Sequence, residues 1–212
     1  MLIMLIPFTV SIVLILLTSF FIPNVELNIE NEKVKTNKIK IIICLLLFIF
    51  AIFIIFRMIK YIYGLIIIPI LIFILDKKAV KNVDYQLLIT FCLFFIFAGN
   101  MSKIDLIKNF FVKCLNINPL LTTIVSCQII SNVPTSILMS QFTNNYKALL
   151  YGVNIGGLGT LIASLASLIT FFEYKKEIKN QALFYLKIFT TINLLFLTVL
   201  YILCFFLLKK IP

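Results

Sequence analysis

Residues 119–164 read PLLTTIVSCQIISNVPTSILMSQFTNNYKALLYGVNIGGLGTLIAS, and this stretch decides the fold. Pro119 opens an apolar run of about a dozen residues, which stops at Ser131-Asn132-Val133-Pro134-Thr135-Ser136. A second apolar piece, Ile137–Met139, is shorter still and gives way to the polar QFTNNYK of 141–147. At about 1.5 Å of rise per helical residue, neither arm can cross roughly 30 Å of hydrocarbon. Two short arms around a polar, proline-containing tip predict a re-entrant hairpin whose tip lies inside a membrane. The next run, from Ala148 to Phe172, is long enough to cross. It is interrupted between Gly152 and Thr160, where four of the chain's six glycines fall.

The whole composition agrees with a lipid solvent. Of 212 residues, 62% are hydrophobic and 13% charged, against about 45–50% and about 25% in soluble domains. Mean hydropathy is +1.15. A soluble enzyme, a disordered tail and a nucleic-acid-binding domain are excluded, because so apolar a chain could not cover its own surface in water. The 19 Lys and Arg outnumber the eight carboxylates, but they fall in short gaps between apolar runs. That is the positive-inside pattern rather than the basic face that nucleic acid requires. The five cysteines are scattered without a C-x-x-C pair, and His is absent, so no metal site and no cofactor is expected.

Reading outward, residues 2–22 carry no charge and lack the basic n-region and cleavage site of a signal peptide, which predicts a retained span. Residues 23–40 read as an exposed loop. Spans follow at 41–59, with Arg57 snorkelling near its end, at 61–75, kinked at Pro69, and at 85–99, with the basic loop DKKAVKNVD (76–84) before it. Residues 101–114 place Ile104, Ile107, Phe110, Phe111 and Cys114 on one helical face and Asp105, Lys108, Asn109 and Lys113 on the other. This predicts an amphipathic helix, most simply one lying in the membrane interface, with a solvent-side linker helix as the alternative. Residues 173–181 form a charged loop, and 182–208 the last span.

Only helices or closed barrels satisfy backbone groups in lipid, and barrel-type alternation is absent. The expectation is an all-α polytopic membrane protein in three parts. Residues 1–114 are a scaffold of three to four spans plus the interfacial helix, 115–172 the hairpin and broken helix, and 173–212 a loop and the last helix. Loops 23–40, 76–84 and 173–181 carry four, three and three Lys. Alternation puts all three on one side, read as cytoplasmic, with Met1 outside. The expected location is the cell membrane, as a multi-pass protein.

Glycines inside a membrane helix either let helices pack closely or mark an unwound segment facing a cavity. Gly152 and Gly156 have the four-residue spacing of packing. Gly157 and Gly159 point around the helix, with Asn154 and Thr160 beside them. Each mid-helix glycine weakens a helix by about 1 kcal/mol, so residues 152–160 are predicted to be non-helical. A phosphate-binding loop does not fit, since no strand precedes the run and no Lys-Ser/Thr follows it. The tip residues Ser131, Asn132, Thr135 and Ser136 form the second polar break. The two breaks can meet at mid-membrane. They would bring hydroxyls, amides and helix N-termini for an anion, and free carbonyls for a small cation.

SNVPTS followed by GVNIGGLGTLIASLASLI resembles the second half of permeases of the ion-transporter superfamily. That group includes arsenite-pump membrane subunits, sodium/proton antiporters and citrate or divalent-anion symporters; the similarity is greatest to its anion permeases. The resemblance implies one inverted-repeat half with a re-entrant hairpin and a discontinuous transmembrane helix. It implies binding residues at Ser131, Asn132, Pro134 and Thr135 in the tip, and at Asn154, Gly156, Gly157, Gly159, Thr160 and Ser164 in and beyond the break. The coupling ion it implies is sodium or a proton.

The functional expectation is a secondary transporter, or its C-terminal half, moving a small inorganic or carboxylate anion by alternating access. The alternative is a non-transporting membrane subunit or a truncated remnant of such a permease. An enzyme is not expected: intramembrane hydrolysis wants paired Asp, a metal, or Ser with a base. Here the carboxylates lie in loops, at span ends or on the interfacial helix. Permeases of that group carry two inverted halves. With one hairpin here, the expected partners are the lipid bilayer and a first-half permease chain or a second copy of this one.

Overall fold

A computed structural model describes residues 2–21, 38–178 and 180–210. Among them it contains eleven α-helices, short 3-10 turns and no strand. The loop at 23–40, apart from its last three residues, lies outside the described residues. The chain divides into two compact units, residues 25–89 and residues 1–24 with 90–212. It is an all-α polytopic membrane protein. Among the described residues, two helices are long and apolar enough to cross a bilayer alone, α2 (Lys38–Ile55) and α11 (Ala182–Lys210).

In the first unit α2 packs against α3 (Tyr61–Leu75), and α4 (Lys77–Lys81) follows. α2 has no buried residue and α3 only Gly64. A Cβ at Gly64 would collide with the Ile54 side chain, so glycine permits the close approach of the two helices. Their remaining apolar surface is outward, as suits lipid. The span expected over 41–59 ends four residues early. Arg57 adopts φ 59°, its N–H donates to Ile54 O, and the Met58 N–H donates to Phe53 O. This pair of bonds is a Schellman closure with arginine where glycine is usual, which no composition rule announces. The loop at 76–84 contains the short α4, whose N-terminus Asp76 caps by accepting from the Lys78 and Ala79 N–H groups.

The second unit holds α1 (Leu5–Ser19), most of α5 (Tyr85–Met101), and everything that follows. At Met101 the chain bends by 93° into α6 (Asp105–Ile117). α6 starts four residues and ends three residues later than the predicted 101–114. Its Phe111 and Leu115 pack inward with Ala98, Leu138, Met139 and Leu149, while Ile104, Leu106 and Phe110 stay exposed. Next come α7 (Pro119–Ile130), α8 (Asn132–Met139), α9 (Tyr146–Gly156), a 3-10 turn at Leu161–Ala163, and α10 (Leu165–Glu177). The main core joins α7, α9 and α11 through Leu120, Ile124, Tyr151, Ile155, Leu200 and Cys204, with Met4, Val10 and Leu14 against it. Tyr151 is buried, and its hydroxyl donates to Ile3 O at 3.1 Å. The chain's first turn is thereby tied to the centre of α9.

Candidate functional site

α7 begins where the sequence makes a helix start easily. Asn118 accepts from the Leu121 N–H at 3.0 Å, and Pro119 sits at the first helical position, where its missing N–H costs nothing. Twelve residues later the helix stops at Ser131, which has φ 72° and ψ 160°. Only glycine enters this region freely, so a serine there stores on the order of 1–3 kcal/mol of strain. The turn reverses the chain. The Cys127 thiol and the Thr135 hydroxyl lie beside each other, although eight residues of continuous helix would separate them by about 12 Å. α7 and α8 rise only about 18 and 12 Å, so the pair is a hairpin with short arms, but its turn is Ser131 alone: Asn132–Ser136, expected to form the tip, are already the first turns of α8.

The break is shorter than predicted. α9 stays α-helical through Gly156, and the non-helical segment runs from Gly157 to Thr160, with extended backbone at Ser164. Gly152 and Gly156 are therefore helical, which corrects the expectation for 152–156. Their role is packing against α7. A Cβ at Gly152 would come within 2.6 Å of Thr123 Cβ, and one at Gly156 within 2.9 Å of Cys127 Sγ. Thr123 and Cys127 are small residues one turn apart, so two backbones touch along a matching four-residue spacing. Gly157 and Gly159 belong to the break. A Cβ at Gly157 would lie 3.1 Å from Asn132 Nδ2. Gly159 has φ +110° and faces the Gln128 amide.

Tip and break meet. Ser131 Oγ donates to Ala163 O at 3.4 Å and approaches Asn132 Oδ1 at 3.5 Å. Thr160 Oγ1 donates to Gln128 O at 3.5 Å. Thr135 is fully buried. Among the described residues, its hydroxyl is the buried side-chain atom without a hydrogen-bond partner, the neighbouring Cys127 thiol included. Pro134 is buried at the third position of α8, where the first-turn N–H it lacks has no helical acceptor. Ser164 precedes α10. Neither Ser131 nor Ser164 makes a side-chain cap bond, so α8 and α10 both begin with open first-turn N–H groups. The Ser131–Ala163 contact brings these two N-termini together.

Asn154 is not part of this meeting. It is exposed on α9, and its amide donates to Leu150 O at 2.7 Å. It borders a separate cleft of about 470 Å³ with Met4, Pro7, Ser11 and Leu200. Gly156 contributes through packing and through its carbonyl, which Gln128 binds. Gln128 is the residue that sequence reasoning missed. A carboxamide in the otherwise apolar third turn of α7, three residues before the tip, was the available signal. Among the described residues no three His, Cys, Asp or Glu converge as a metal-binding group.

Chemically, the assembled groups suit an anion. Two helix N-termini supply partial positive charge and unsatisfied N–H donors, the Asn132 amide adds directed donors, and the hydroxyls of Ser131, Thr135 and Ser164 can donate or accept.

The chain is similar to a Methanocaldococcus jannaschii protein described as an uncharacterized transporter. The two are 42% identical over 126 residues, which is 59% of this chain and 35% of that protein. It is also 32% identical over 110 residues to the inner membrane protein YbiR of Escherichia coli, covering 50% of this chain and 30% of the other. The chain thus aligns with about a third of the length of each relative. No protein-family model matches it, and no solved structure does.

Proposed function

We propose that this chain forms one half of a secondary transporter of the cell membrane that moves a small inorganic or carboxylate anion by alternating access, driven by sodium or a proton. The observation that carries the reading is the convergence of two uncapped helix N-termini, α8 and α10, at the contact between Ser131 and Ala163. An anion placed there would take the first-turn N–H groups, the Asn132 amide and the Ser131, Thr135 and Ser164 hydroxyls. Gly157 keeps the Asn132 side chain close to the break, and Gly159 and Thr160 shape the rest of the wall. The transporter description of the archaeal relative supports the same reading. So does the resemblance of SNVPTS and the glycine run to anion permeases.

The groups opposite this site come from a first-half permease chain or a second copy of this one. Unpaired N–H and C=O groups facing hydrocarbon would otherwise cost several kcal/mol each. The test is uptake of sulfate, phosphate and citrate by membrane vesicles in which this chain is assembled with the rest of its permease. Replacing Asn132 and Thr135 together by Ala is expected to cut uptake of the transported anion at least tenfold while leaving membrane insertion unchanged. Undiminished uptake by the double variant would refute the assignment.

A further inference from the structure

Beyond the anion site, the break contains a second arrangement centred on Gln128. Its Nε2 lies 2.9 Å from Gly156 O and 2.9 Å from Leu158 O, with Ile124 O at 3.4 Å. Its Oε1 accepts the Thr160 N–H at 2.9 Å. Reversing the amide would set its oxygen against the carbonyls and its NH2 against that N–H, so the partners admit one orientation. Three carbonyl oxygens gathered around one point is also how backbone coordinates a small hard cation. Gly159 completes the fit: a Cβ there would fall 2.5 Å from Oε1.

We propose that the Gln128 carboxamide is a positioning residue that occupies the place a small cation would take between the Gly156 and Leu158 carbonyls, so that an amide rather than a bound ion holds the break open. This rests on the transport reading only in treating the break as part of the transport site. Where transport is sodium-driven, the sodium ion has its seat elsewhere than on these two carbonyls. The amide pairs two acceptors and one donor that unwinding released at the end of α9. An apolar side chain of the same length would leave all three unpaired. A carboxylate would set oxygen against the carbonyls and call for a cation to bridge them.

The test is thermal unfolding of this chain assembled with the rest of its permease, in sodium chloride and in choline chloride at equal ionic strength and mildly alkaline pH, where a carboxylate is ionised. Any gain of the wild type in sodium comes from a seat elsewhere and is expected to be matched by Gln128→Met. Gln128→Met is expected to unfold roughly 5 °C or more below the wild type in each salt. Gln128→Glu is expected to be less stable than wild type in choline and to recover in sodium. A sodium gain in the wild type that Gln128→Met lacks would overturn the proposal. So would a Gln128→Met variant as stable as wild type, or a Gln128→Glu variant no more sodium-responsive than wild type. If Gln128→Glu gives no folded protein, the wild-type and Gln128→Met arms still decide. The readout is unfolding rather than uptake, so failure of the transport reading leaves it standing, and the reverse holds as well.

Discussion

The outer and inner ends of the hairpin and the broken helix are built differently. At the outer ends, α7 and α9 each start behind an asparagine whose side chain accepts a first-turn N–H: Asn118 from Leu121 and Asn145 from Ala148. At the inner ends, α8 and α10 start behind Ser131 and Ser164, neither of which caps. All four residues favour helix starts, so residue type does not account for the difference. The outer ends satisfy their own donors and serve the fold. The inner ends leave theirs open where tip and break touch, and Ser131 holds a strained backbone while doing so. Stability has been given up at the inner ends, the pattern expected of a binding site.

Glycine usage divides in the same way, and it sets the largest expected effect. Gly156→Leu forces a side chain into Cys127 and the α7 backbone. It is expected to cost about 3 kcal/mol or more, seen as loss of folded, monodisperse protein. A folded Gly156→Leu chain with unchanged unfolding temperature would break the division between packing and site glycines.

The capped ends come next. Asn118→Ala and Asn145→Ala are each expected to lower stability by about 1 kcal/mol, or roughly 2–4 °C in a chain of this size, with the KM for uptake unchanged. A raised KM with unchanged unfolding temperature would place these ends in the site instead.

The uncapped ends should respond in the opposite sense. Ser131→Gly relieves a backbone that glycine adopts freely and is expected to raise stability by up to about 1 kcal/mol. It also removes a hydroxyl from the site, so uptake should fall. Ser164→Ala should change stability by less than about 0.5 kcal/mol, since no cap bond is lost, and should lower uptake too. Destabilisation by both substitutions, with uptake intact, would erase the contrast between inner and outer ends.

Much of this was legible from residues alone, because lipid leaves few ways to hide a polar group. The end of α7 at Ile130 follows from apolar run length and Gly157–Thr160 from clustered glycines, whereas Asn132–Ser136, read as part of the tip, are helical. What escaped depends on partners distant in sequence. Gly152 and Gly156 remain helical because Thr123 and Cys127, about 29 positions away, are small enough to accept them. Gln128 is a clasp only because folding brings the 156–160 backbone to it. The end of α2 was misplaced because Arg57 takes a left-handed turn with no glycine to mark it. Asn154, read as part of the break, is an exposed polar residue bonded to its own helix.

The central claim is that tip and break form one anion site, and the most direct measurement joins them covalently. In a chain whose five native cysteines are replaced by Ala, Asn132→Cys and Gly157→Cys are introduced together. Asn132 Cγ lies 3.7 Å from the position of a Gly157 Cβ, within reach of a disulfide. Mild oxidation in vesicles holding the assembled permease should form the intramolecular bond, and saturating amounts of the anion taken up by the wild type should slow its formation several-fold. No cross-link, or a rate indifferent to that anion, would contradict a shared site.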